Sequence, residues 1–557
     1  MDSYFLFSLV FWSIIFLFLL KGINLLYFTY PDESRNAFAT YYMYFKNNLY
    51  NWIVPYYNGD IRYDKPVLLY YIANIFYILS SKLNLDIEVS YRLVSGFSVF
   101  LSTIIVFKFA NILFENIFYR YFSVVVFVSF VNIFVEAKAF VPEPLFTFFI
   151  LISYYTFYRF YQTSNYFYLN LFLIFLGLAN FSKGIVSYIV ILGPILIFLL
   201  YNKYNLKQIF HVFFNRKVIL GWIGHIILGY TWFILVYLFT NGKFIKNFLF
   251  LHNFGRFTGA SNMHLNPIYF YFIVIIINMI PIWELISLIL ANLNKISLKK
   301  YNEHYLYLIF IFIFVFVFYS LSKGKVHHYI MPIFLPLSLL IIAFIKEIIE
   351  NSYKFNSKLN LGVFFILSIL FSIILLILDF KLNDLGFLNK DEIIFNLIYL
   401  NLFFTILIAF IFYFNYLKSY VSFLLFVFTF IKVVLFYRYI LDDINFKVLS
   451  KDFIEIIKNS SNKEIITVGD IAGVSFYNLY FNKKERTISI DINYLQDFLN
   501  ILNDIKENNY LVFTKKKYFL QLKNNIDYSK SYMIKEVRNI FVISQDMLVI
   551  DIKKIKK

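Results

Sequence analysis

The sequence predicts an all-α polytopic membrane protein carrying a small C-terminal soluble α/β domain. Three observations predict it. The chain of 557 residues is 61% hydrophobic, with a mean hydropathy of +0.69, well above the roughly half-apolar composition of soluble domains. Apolar runs near the ~20 residues needed to cross a bilayer recur to about residue 438. Beyond that point the period of the pattern changes and polar residues increase.

Residues 4–28 form the first expected span, interrupted by Lys21 and Gly22, and read as an uncleaved anchor. A polar loop, 29–66, follows, with a helical middle from Asn36 to Tyr44 and a turn at Asn58-Gly59. Residues 67–81 are apolar but short, suited to the interface as well as to a crossing. Further spans are expected at about 93–113, 121–140, 143–160, 167–181, 184–201, 218–239, 267–290, 305–321, 328–345, 360–379, 393–414 and 419–438, so about 13 transmembrane helices in all.

The expected units are therefore a transmembrane domain, 1–438, with the first outer loop 29–66 as its catalytic loop, and an α/β domain, 439–557. In the latter, Glu464–Val468, Arg486–Ile490, Leu511–Thr514 and Ile540–Ser544 have strand length and β-branched content. Segments 450–459 and 494–507 have helical spacing. Val468-Gly469-Asp470 lacks the glycine spacing of a dinucleotide site.

Short-loop cations orient the chain. Lys203, Lys207, Arg216 and Lys217, then Lys295, Lys299 and Lys300, then Lys346, Lys354 and Lys358 share one parity and point to the cytoplasm. The loops of opposite parity (240–266, 322–327 and 380–392) then lie outside, and with 67–81 not crossing, the N-terminus is cytoplasmic and 29–66 also lies outside. The 51 Lys and Arg against 33 Asp and Glu give +18, but these cations form no compact arginine-rich face, so no nucleic-acid partner is expected. The absence of Cys excludes disulfides and thiolate-bound metal. The 74 Phe and 48 Tyr need no ligand, since spans use them against lipid and at the interface.

Chemistry concentrates in a few charged motifs. Asp32-Glu33, followed by Arg35, reads on pattern alone as a pair of solvated acids at a membrane exit. Beside apolar surface a carboxylate gains proton affinity and becomes a general base for a hydroxyl. Tyr63-Asp64-Lys65-Pro66 reads as an ion pair at a helix start or as a phosphate ligand. Glu143, between Pro142 and Pro144, opens a span, where an acid is either favoured by the helix dipole or functional. Lys183, in Ser182-Lys183-Gly184, is a snorkelling or a site lysine. In 240–266, Arg256 is suited to gripping phosphate and His252 is a structural His or a metal ligand. His327-His328 precedes Tyr329, but adjacent residues at a helix start are expected to diverge, which argues against shared metal binding. Asp32, Lys65, Glu143, Lys183, Arg256 and Tyr329 share one parity, so one face gathers acids and phosphate-seeking cations.

In this order the motifs resemble those of the bacterial aminoarabinose transferases that modify lipid A, and of the related protein O-mannosyltransferases, both C-type (GT-C) membrane glycosyltransferases. The resemblance rests on Asp32-Glu33-Ser34-Arg35, Asn51-Trp52-Ile53-Val54-Pro55 with Asn58-Gly59, Tyr63-Asp64-Lys65-Pro66 and Pro142-Glu143-Pro144-Leu145. It continues through Ser182-Lys183-Gly184, Gly255-Arg256-Phe257 and Ser320-Leu321-Ser322-Lys323 with Tyr329. It covers roughly residues 1–345. It implies a GT-C fold in the bacterial inner membrane and a polyprenyl-phosphate sugar donor (undecaprenyl phosphate in bacteria). It also implies a lipid A-like or other envelope acceptor and transfer at the periplasmic face. It places the catalytic acids at Asp32, with Glu33 beside it, and Glu143. It places substrate contacts at Arg35, Tyr63, Lys65, Lys183, Arg256 and Tyr329. A divalent metal ion is the cofactor the family suggests, with Asp64 and His252 as ligand candidates. Asp64 stands where Glu is usual, and Asn253 where relatives often show a second His. A protein O-mannosyltransferase, and a flippase of lipid-linked sugars, are the competing functions. Inverted repeats of broken helices, the mark of a transporter, are not evident.

Overall fold

The computed structural model describes residues 3–24, 31–261, 263–292, 303–350, 362–370, 372–373, 392–413, 421–443, 454–455, 457–460, 463–468, 472–482, 485–488, 509–515, 532–542 and 545–554. The Val468-Gly469-Asp470 motif beyond Val468, the expected helix at 494–507 and most of the loops at 346–358 and 380–392 lie outside them.

The chain is predominantly helical and is a multi-pass membrane protein. Among the described residues five helices are long and apolar enough to cross a bilayer: Ile87–Leu113, Tyr166–Lys183, Arg216–Phe239, Glu303–Leu321 and His327–Ile349. Phe270–Asn278 and Ile280–Ala291, bent by 49°, make a sixth as one broken span. The break falls at Met279, two residues before Pro281, which lacks the amide proton a continuous helix needs. Behind it, a buried ion pair joins Glu284 to Lys432 of the Val421–Asp443 helix. Ile117–Ser129 and Val131–Glu136 divide the expected 121–140 span at Phe130.

The first apolar helix, Ser3–Leu20, ends in a turn at Lys21 and Gly22. The polar loop then folds almost entirely into structure. Pro31–Lys46 is a helix whose first residue is proline, preset for that position, and whose first turn holds Asp32 and Glu33 at the positive end of the dipole. A two-residue hairpin pairs Tyr56–Tyr57 with Asp60–Ile61. Asn58 (φ 49°) and Gly59 (φ +87°) turn it, as the left-handed positions of such a turn demand. Leu68–Ser81 has 14 residues, about 21 Å at 1.5 Å per residue, which is short of the hydrocarbon thickness.

The C-terminal residues form a five-stranded sheet with spatial order Glu485–Ile488, Lys463–Val468, Asn509–Lys515, Gln545–Lys554, Tyr532–Val542. The first three strands are parallel and the last two antiparallel. A helix absent from the sequence reading, Ala472–Tyr480, docks on Pro31–Lys46. Tyr477 Oη donates to Glu88 Oε1 at 2.5 Å, Asn58 Nδ2 donates to Ser475 Oγ at 3.1 Å, and Tyr480 packs edge-on against Tyr41.

Candidate active site

The polar loop, the start of the Glu143–Thr163 helix, the Ser182-Lys183-Gly184 turn and the segments 248–264 and 318–329 enclose a cavity of about 400 Å³. Every candidate residue named from the sequence lines it except Glu33.

Glu33 turns the other way. Its carboxylate takes Nε and Nη2 of Arg92 at 2.6 and 2.9 Å and the Phe140 amide at 2.8 Å. Arg92, from the Ile87–Leu113 helix, is 1% exposed and also donates to the Ile23 carbonyl at 3.0 Å. Adjacent residues on a helix point about 100° apart, so Asp32 faces the cavity while Glu33 faces the protein interior. The expectation that Glu33 shares in catalysis is corrected: it faces away from the cavity, and its three hydrogen bonds tie the loop helix to two other segments.

Asp32 is half-buried, with Arg35 Nη1 at 3.6 Å on the same helix face. Its carboxyl is held below the ordinary carboxylate range, chiefly by the Lys65 ammonium and against the effect of burial. This corrects the expected rise in proton affinity: the cation beside Asp32 outweighs the apolar surroundings. Lys65 makes no hydrogen bond or ion pair within 4 Å among the described residues.

Asp64 is not the partner of Lys65. Arg62 grips both its oxygens, Nε to Oδ1 at 2.7 Å and Nη2 to Oδ2 at 3.1 Å. Arg62 and Asp64 lie two apart in the segment that follows the Asp60–Ile61 strand. Burial would raise the Asp64 carboxyl, but Arg62 and then Lys65 hold it far below the usual range. Arg62 Nη2 also donates to Asn36 Oδ1 at 3.0 Å, and Asn36 Nδ2 to the Phe140 carbonyl at 2.9 Å. A metal at Asp64 would have to share the carboxylate with a bidentate guanidinium, which takes one lone pair on each oxygen. His252, its expected co-ligand, lies 3.5 Å from Arg256 Nη2, and burial lowers its proton affinity.

Glu143 Oε1 accepts from Lys183 Nζ at 3.1 Å and lies 3.5 Å from His328 Nε2, while its buried Oε2 has no partner among the described residues. Lys183 Nζ sits 4.0 Å above the Tyr329 ring. Arg256 Nη1 donates to Tyr329 Oη at 3.2 Å, and its buried Nε has no partner among the described residues. A π-helix, Asn247–Phe254, delivers Arg256, a geometry that is often found at functional sites. Backbone bonds from Lys323 to the Phe257 carbonyl (3.0 Å) and from Gly324 to the Arg256 carbonyl (2.8 Å) staple this segment to the next loop. A Cβ on Gly324 would stand 2.8 Å from that same carbonyl oxygen, so only glycine fits.

His327 and His328 do not diverge. His327 Nε2 and His328 Nδ1 both reach Glu136 Oε1, at 3.0 and 3.2 Å. The sequence reading missed Glu136, Arg62, Arg92 and Asn36. Of these, only Arg62 left a signal, its two-residue spacing from Asp64.

Residues 6–247 match the family model described as dolichyl-phosphate-mannose-protein mannosyltransferase. A protein of undescribed function from Aquifex aeolicus is 33% identical over 352 residues, 63% of this chain and 76% of that one. The undecaprenyl phosphate-alpha-4-amino-4-deoxy-L-arabinose arabinosyl transferase of Wigglesworthia glossinidia brevipalpis is 28% identical over 398 residues, 69% of this chain and 67% of that one. Among solved structures, ArnT from Cupriavidus metallidurans bound to undecaprenyl phosphate superposes with a TM-score of 0.71 at 12% identity, covering 98% of each chain.

Proposed function

The chain belongs to the family of membrane glycosyltransferases that holds the bacterial aminoarabinose transferases and the protein O-mannosyltransferases, and from that premise we propose that it moves a sugar from a polyprenyl-phosphate carrier to lipid A or another envelope glycolipid. The observation that carries the proposal is the meeting of Asp32, Lys65 and Arg256 in one cavity. It supplies a base for an acceptor hydroxyl and two cations for a phosphate.

In the proposed reaction the acceptor oxygen attacks the anomeric carbon and the bond from that carbon to the carrier phosphate breaks. The hydroxyl proton passes to Asp32, and the electron pair of the broken bond leaves on the phosphate. Such a leaving group needs charge neutralisation more than protonation, which preorganised cations supply. Lys65 and Arg256 fill that role, with Tyr329 holding the guanidinium. Asp32 stays ionised beside Lys65, which keeps it free to take the proton while making it a weaker base. Arg35 and Tyr63 border the same cavity and serve as substrate contacts. Glu143, steadied by Lys183 on one oxygen, offers the other to a sugar or acceptor hydroxyl. A single displacement of this kind inverts the anomeric centre, whereas retention requires a carboxylate nucleophile beneath the sugar.

The proposed setting is the inner membrane, with the cavity on the periplasmic side, where no nucleotide-sugar pool exists and a lipid must deliver the sugar. About 13 crossings follow if the shorter apolar helices other than Leu68–Ser81, the Glu143–Thr163 and Val421–Asp443 helices and the expected span at 360–379 also cross, and residues 439–557 then form a periplasmic α/β domain. The test is a comparison of lipid A and glycoprotein mass spectra from cells with the wild-type gene, with Asp32→Asn and with no gene. A sugar mass present on lipid A only with the wild type supports the proposal. The same mass on protein instead identifies a protein O-mannosyltransferase-like acceptor. No mass difference on either, with the carrier-linked sugar accumulating on one leaflet, indicates a flippase.

A further inference from the structure

At the cavity wall, which His328 lines, Glu136, His327 and His328 bring three ligand atoms within 4.8 Å of one another. Glu136 ends the short Val131–Glu136 helix, and the two histidines open the 3₁₀ turn His327–Ile333. Asn132 Nδ2 fixes that turn by donating to the His327 carbonyl at 2.9 Å. The Glu136 and His328 side chains are each 6% exposed, whereas that of His327 is 46% exposed, so one edge of the cluster is open.

His328 faces a carboxylate from each nitrogen, Nδ1 towards Glu136 at 3.2 Å and Nε2 towards Glu143 at 3.5 Å. A neutral imidazole has one N–H and cannot donate both ways, so His328 is either an imidazolium donating to both acids or a neutral ring with one nitrogen on a cation. A cation ligated by Nδ1 removes the conflict: the lone pair goes to the metal and the remaining Nε2–H points at Glu143. Metal-bound histidines usually hold their second nitrogen against a carboxylate in this manner. The spacing also suits. Bonds of about 2.0–2.1 Å at tetrahedral angles separate ligand atoms by roughly 3.3 Å, close to the 3.0 and 3.2 Å found here.

We propose that Glu136, His327 Nε2 and His328 Nδ1 bind a divalent cation of the zinc type, and that His328 transmits its position to Glu143 in the cavity. Two neutral imidazoles and a carboxylate are a zinc ligand set that leaves a fourth position for water, which the exposed edge at His327 admits. Glu143 in turn contacts Lys183, so the cation braces one wall of the cavity without lining it.

The test uses the full chain purified in detergent, with metal content read by inductively coupled plasma mass spectrometry after dialysis. Cobalt(II) reconstitution is read by its visible absorption. The wild type is expected to retain about one equivalent of zinc and to give the strong d–d bands of a four-coordinate site. Glu136→Gln and His327→Ala, each checked for a monodisperse gel-filtration peak, are expected to lose most of the metal and to lose the cobalt bands. His252→Ala, which removes a histidine from the cavity but not from this cluster, is the control and is expected to keep both signals. Absence of metal and of a cobalt spectrum in folded wild type overturns the proposal. So does full retention in Glu136→Gln and His327→Ala, or loss in His252→Ala alone.

Discussion

Replacing Glu33 by Gln separates the two neighbouring acids of the first loop. Glu33 accepts three hydrogen bonds, two from Arg92 and one from the Phe140 amide. Glutamine keeps one acceptor oxygen for Phe140 but turns an amide donor towards a guanidinium that is 1% exposed. Removing one member of a buried ion pair costs about 3–5 kcal/mol, most of it from the charge left without compensation. The Glu33→Gln protein should therefore unfold at a clearly lower temperature in detergent, at a fixed scan rate since unfolding of such a protein is irreversible. Its transfer rate per folded molecule should fall less than about tenfold, whereas loss of a general base costs about 10²–10⁴. Adding Arg92→Met should recover part of the lost stability, because the buried charge goes too. A Glu33→Gln protein as stable as wild type but slowed a hundredfold or more would refute the reasoning and return Glu33 to the catalytic machinery.

Other perturbations follow the same geometry. Asp64, depressed by Arg62, contributes stability that is present above its unfolded value of about 3.9 and is lost as pH falls towards the folded one. Wild-type thermal stability should thus drop on acidification below about pH 4, and Asp64→Asn should be less stable at neutral pH but flatter with acid. Gly324→Ala should push the Arg256 carbonyl away and weaken carrier-lipid binding at least tenfold, measured by titration with undecaprenyl phosphate. Tyr477→Phe removes a hydrogen bond to the buried Glu88 carboxylate, worth about 1.5–3 kcal/mol for a charged acceptor. Limited proteolysis should then cut residues 439–557 faster, with the transmembrane part unchanged.

Much of the site is legible in the sequence because loops at a membrane exit carry few charges, and parity assigns them to faces. Asp32, Lys65, Glu143, Lys183, Arg256 and Tyr329 group on that basis alone, and the fold brings all six to one cavity. What the pattern does not carry is the direction of a side chain. Asp32 and Glu33 look alike in sequence, and only the helical rotation between them sends one to the cavity and the other to Arg92. Asp64 pairs with Lys65 by adjacency in the sequence, but in the fold Arg62, two residues before it, closes on it instead. Glu136 and His327 lie 191 residues apart, a separation that no local spacing rule reaches. For the fold, apolar runs locate most helices, but the break at Met279 and the docking of Ala472–Tyr480 on the first loop depend on tertiary packing.

The most direct measurement is native mass spectrometry of the detergent-purified chain titrated with undecaprenyl phosphate, comparing wild type with Lys65→Ala, Arg256→Ala and the double variant. One saturable adduct on the wild type is predicted, weakened at least tenfold in each single variant and lost in the double. Equal binding by the wild type and the folded double variant would contradict the assignment of this cavity to the carrier phosphate.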